Sequence, residues 1–123
     1  MKHALTLALP LVAAALAVLL SLPQSLGAHP QWATTVILIG APIGIILAYA
    51  LNAAKLPQPL CIAIGAVLTA AAYVTARYGR AEFGASFAED QFAGQLWYYG
   101  WITTSAGVAL TLASLALRRN SKA

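Results

Sequence analysis

Four long apolar runs, none with a charge in its interior, constrain this chain more than any other feature. They cover residues 4–22, 33–53, 59–78 and 97–117. About 20 apolar residues carry a helix across the hydrocarbon of a bilayer, where each backbone polar group must find its partner within the chain. The expected fold class is therefore an all-α integral membrane protein: an antiparallel four-helix transmembrane bundle, one domain over residues 1–123. Composition agrees, because 8% of the residues are charged and 61% hydrophobic, whereas soluble domains carry about 25% charge. Such a surface needs lipid as its solvent, and the bilayer is the first expected partner.

The breaks between runs carry turn chemistry. "SLPQSLGAHPQ" contains Pro and Gly, "NAAKLPQP" a base and two prolines, and Pro59 suits a first helical turn. Pro10 and Pro42 fall inside the first and second runs and are expected to kink them. The first run also has the basic start and the small residues Ser25, Gly27 and Ala28 of a signal peptide. Its apolar stretch exceeds the usual ~7–15 residues of such a segment, so retention is expected.

Bases set the orientation. Lys2, Lys55, Arg118, Arg119 and Lys122 share one side, and Arg77 and Arg80 share the other with every acid. This imbalance predicts a multi-pass inner- or plasma-membrane protein with both termini cytoplasmic. The bases mark the ends of apolar runs, not a patch for nucleic acid, so no nucleic-acid partner is expected.

Site chemistry is sparse, and no catalytic residue, cofactor or metal is expected. His3 and His29 lie outside the runs, and Cys61 in "PLCIAIG" reads as a small buried filler. The sequence offers no catalytic triad grouping, phosphate loop or mid-membrane ionisable group. An enzyme acting on quinone or lipid would have only Glu89 and Asp90 as acid–base candidates.

Packing faces are easier to find. Gly40 and Gly44 in "GAPIG" form a Gly-xxx-Gly pair. Thr104, Gly107, Thr111 and Ser114 recur at three- and four-residue steps and so share one helix face. That face reads first as a helix-packing stripe and alternatively as a hydroxyl lining. "WATT" (32–35) and "WITT" (101–104) echo each other, but their flanks differ and the match reads as coincidence.

One stretch departs from the rest. Phe83, Phe87, Phe92, Trp97, Tyr98, Tyr99 and Trp101 are seven of the chain's eleven aromatics, and Glu82, Glu89 and Asp90 are its acids. Ser86 and Glu89 fit a capping box, which predicts a helix from about Phe87, a turn at "FGAS", and an external helical hairpin over 79–96. Arg80 is expected to pair with Glu89 or Asp90. Phe83, Phe87, Phe92, Trp97 and Trp101 are the candidate partner-binding residues, because aromatics dominate interface energetics once desolvated. The expected function is a non-catalytic accessory or assembly subunit whose partners are other membrane-protein subunits. The alternative is a small homo-oligomeric transporter or channel, formed by self-association, with a hydroxyl-lined fourth helix.

Overall fold

A computed structural model describes residues 2–29 and 31–122, and the side chains of 4, 6–29 and 31–117 among them. The side chains of Lys2, His3, Arg118, Arg119 and Lys122 lie outside the described residues. Helix α1 spans Lys2–Leu19, the short α2 Leu22–Leu26, α3 Ala33–Ala53, α4 Gln58–Ala85 and α5 Gln91–Lys122. No strand occurs among the described residues. Among the described residues three helices, α3, α4 and α5, are long and apolar enough to cross a membrane, and the apolar part of α1, Thr6–Leu19, is shorter.

The sequence-predicted limits need correction at both outer connections. The first run does not continue as one helix to residue 22: α1 stops at Leu19, Ser21 takes a left-handed conformation (φ 54°), and Pro23 lies in the first turn of α2. The second connection turns later than expected. α4 runs through "FGAS" to Ala85, and Ser86 closes it by donating its hydroxyl to the Phe83 carbonyl at 2.9 Å. Ser86 and Glu89 therefore form no capping box. Asp90 caps α5 instead, its Oδ1 accepting from Ala93 N–H at 3.1 Å. Phe87 and Ala88 form the tip between them, both with positive φ.

α5 is the hub of the fold. It packs against α1, α3 and α4, whereas α3 barely meets α4 and the α1 backbone stands off that of α4. Gly40 lies beside Ile102–Ala106 and Gly44 beside Ala106–Leu110, so α3 runs parallel to α5. Gly79 meets Ala93–Trp97 and Gly65 meets Thr111, so α4 runs antiparallel to it. The chain thus goes up and down with the 20–32 and 86–90 connections at one end and 54–57 at the other.

Close approach explains why glycines mark these seams. A Cβ on Gly40 would sit 2.5 Å from the Ile102 carbonyl oxygen, and one on Gly44 would strike the Ala106 carbonyl. Between α4 and α5 the fit is reciprocal: Thr69 Oγ1 occupies the space beside Gly107, and Thr111 Oγ1 the space beside Gly65. Each threonine also donates to the carbonyl one turn back, Thr69 to Gly65 at 2.7 Å and Thr111 to Gly107 at 2.8 Å. Their hydroxyl protons are thereby satisfied within their own helices, and their bodies serve as knobs. Ala48, Leu110, Ala113 and Leu117 fill the core toward the 54–57 connection, and Ala28, Ala33, Val36, Ile37, Ala76 and Trp101 the core toward the 20–32 connection.

Candidate functional site: an aromatic cluster over an apolar groove

The stretch rich in aromatics turns mostly inward. Trp97 stands edge-on to Trp32 at 5.1 Å and to His29 at 5.5 Å, and Trp32 meets Tyr98 at 5.2 Å. Phe83 leans on Trp97 at 5.9 Å and lies against Gly94. These rings come from α4, α5 and the connection before α3. They close the end of the bundle that carries the 20–32 and 86–90 connections.

Backbone carbonyls at the end of α2 and just after it tie that cluster together. Trp97 Nε1–H donates to Gly27 O at 2.9 Å, and Tyr73 O–H donates to Leu26 O at 3.1 Å. Arg77 Nη1 donates to the same Leu26 carbonyl at 3.4 Å and to the Tyr73 oxygen at 3.3 Å, while its guanidinium carbon stands 5.9 Å from the centre of the Tyr73 ring. Gly27 has φ 121°, a region that L side chains rarely adopt, so glycine permits the bend that presents both carbonyls. Residues 22–29 thus form a crosspiece bonded to α4 on one side and α5 on the other.

Below the crosspiece, α1 and α4 stand apart and leave a groove of about 780 Å³ over α5. Alanines make its walls, Ala13, Ala14 and Ala17 on α1 and Ala66 and Ala70 on α4. Trp101, Thr104, Ser105 and Val108 make its floor, with Tyr73 near the crosspiece. The Tyr73 and Trp101 rings meet edge-on at 5.7 Å. Trp101 is 4% exposed, and its Nε1 is buried without a hydrogen-bond partner.

The sequence-predicted partner residues therefore separate into three groups. Phe87 is 91% and Phe92 68% exposed at the hairpin tip. Phe83 and Trp97 are half-buried in the aromatic cluster. Trp101 is buried, in the groove floor and in the core cluster with Ala76 and Val36. Arg80 does not pair with Glu89 or Asp90; its guanidinium approaches Gly27, beside that of Arg77.

The predicted packing residues Gly40 and Gly44 face α5, Gly107 and Thr111 face α4, and Thr104 and Ser114 are buried. Thr104 donates its hydroxyl to Gly100 O at 2.7 Å. Among the described residues no three His, Cys, Asp or Glu side chains converge as metal ligands would.

Sequence reading missed the groove, Tyr73 and the Leu26 and Gly27 carbonyls. A signal for the seam did exist: "GAVLT" at 65–69 and "GVALT" at 107–111 are nearly the same pentapeptide. No signal of that kind marks a carbonyl. No family model, curated protein or solved structure matches the chain.

Proposed function

We propose that this chain is a non-catalytic accessory or assembly subunit of a larger membrane complex. In this reading α1 crosses the bilayer with the three longer helices, giving a four-helix transmembrane bundle with both termini cytoplasmic. Five of the seven bases then lie on the cytoplasmic side, which favours that orientation.

One observation carries the docking role. α4 has 28 residues, a length of about 42 Å at the helical rise, against about 30 Å of hydrocarbon. Its outer end and the start of α5 therefore stand beyond the lipid, and there Phe87 and Phe92 are exposed without a packing role in the chain. Large exposed rings on a rigid projection suit a protein partner, because burying them releases apolar surface from water. Phe83, folded inward, supports the projection and does not dock.

Co-purification tests the reading. Phe87→Ser with Phe92→Ser, in the full chain expressed in its own membrane and extracted in mild detergent, is expected to leave insertion and helicity unchanged while the partner subunits are lost. Retained partners would remove the tip as the docking site. Recovery of the unaltered chain as a homo-oligomer alone would favour the transporter or channel reading.

A further inference from the structure

We propose that the hairpin tip seats in an apolar pocket of a partner protein whose rim carries Lys or Arg. Phe87 is the inserted ring, and Glu82 and Glu89 are the charges that orient it. This inference rests on the docking role proposed above and adds the chemistry of the partner.

Phe87 stands where a helix ordinarily ends in glycine. The Ala88 N–H donates to Phe83 O at 2.9 Å and the Phe87 N–H to Gly84 O at 3.1 Å. These paired bonds close a helix through a left-handed residue. Phe87 is that residue, at φ 57°, and Ala88 follows at φ 66°. Nowhere else among the described residues do two consecutive positions take positive φ. A Cβ is strained in this region, and glycine at position 87 would relieve it. The ring brings no packing in return, since Phe87 is 91% exposed. A strained backbone beneath a solvated ring is explained when another molecule covers that ring.

Charge selects the occupant. Residues 81–96 contain three acids, Glu82, Glu89 and Asp90, and no base. All three are exposed. Asp90 turns its Oδ1 to the Ala93 N–H, whereas the Glu82 and Glu89 side chains bond to no described residue. The nearest bases in sequence before the tip, Arg77 and Arg80, turn to Gly27 and leave the tip acidic. An anionic lipid surface would repel this tip, and so would the same tip on a second copy. Lys or Arg around the pocket answers the carboxylates, and a cation also suits the face of the ring. The rim charges govern encounter and register, while the buried ring supplies most of the affinity.

Photocrosslinking tests both parts. The full chain carries p-benzoylphenylalanine in place of Phe87 and is irradiated in its own membrane, and mass spectrometry identifies the crosslinked peptide. The expected product is a partner protein joined at a segment in which bases outnumber acids. Glu82→Gln with Glu89→Gln should lower the crosslink yield about fivefold. Salt at about 0.5 M should lower it to a similar extent. Phe87→Gly should raise the thermal midpoint of the purified chain by about 3 °C and cut co-purification of the identified partner about tenfold. A crosslinked segment without excess base, or a yield indifferent to the glutamates or to salt, would overturn the basic rim and leave docking standing. A lowered midpoint in Phe87→Gly would give the ring a role inside the chain and overturn its insertion. Crosslinks only to lipid or to a second copy, or to no protein, would remove the docking reading and this proposal with it.

Discussion

The closed and open sides of α5 use small residues to opposite ends. Where α3 and α4 press on α5, Gly40, Gly44, Gly65 and Gly107 each face the backbone or the threonine knob of a neighbour. Where α1 and α4 flank the groove, Ala14, Ala17, Ala66 and Ala70 face a gap. A small side chain produces close packing only when the opposite helix comes near enough to use the space. On the closed side the matched Gly-xxx-Thr registers of α4 and α5 bring it near. On the open side α1 ends at Leu19, and the α2 crosspiece, bonded to Trp97, Tyr73 and Arg77, bridges the outer end of the gap.

Substitutions can break or sharpen this contrast. The largest effect is expected from Gly107→Leu, which drives a side chain into Thr69 on α4 and should destabilise the bundle by about 3 kcal/mol. Thermal unfolding in detergent, followed by circular dichroism, measures it; an unchanged midpoint would mean that the seam is not tight. Gly27→Ala acts on the crosspiece, where φ is 121°. The strain should lower stability by about 1–2 kcal/mol in the same assay.

Trp97→Phe keeps a ring in the aromatic cluster but removes the donor to Gly27 O. Its expected cost is about 1 kcal/mol, together with faster amide exchange at residues 26–29; unaltered exchange there would show that the crosspiece is held by other contacts. The smallest effect belongs to the open side. Ala70→Leu projects into the groove from an exposed position and should change stability by no more than about 0.5 kcal/mol. A loss as large as that of Gly107→Leu would erase the difference between the two sides.

Much of this arrangement is legible along the chain. The run at 33–53 and α3 coincide, Ala33–Ala53, because "AHPQW" and "NAAKLP" break the helix chemically at both ends. Gly40 and Gly44 stand out as a packing pair because a Gly-xxx-Gly face is a local pattern. The burial of Trp101 was not legible, because an aromatic near the end of an apolar run has the same sequence signature whether it points outward or inward. The expected capping box failed for a related reason. Ser86 serves both helices, donating to Phe83 O in α4 and accepting from the N–H of Asp90, which caps α5, so it is the late end of α4 that moves the cap from Ser86 to Asp90.

Sequence by itself determined that the chain is helical and apolar over three membrane-length segments, and that its acids and most of its aromatics gather near one turn. Those properties follow from local hydrophobicity and from the need of each backbone group for a partner close along the chain. Only the tertiary structure decided that Trp97 bonds to Gly27, that Arg80 turns toward Gly27 and away from Glu89 and Asp90, and that α1 stands off α4. These depend on carbonyls, which have no residue-specific signature, and on a gap between helices distant in sequence. A groove is defined by what fails to meet, and one-dimensional periodicity registers only the faces that could.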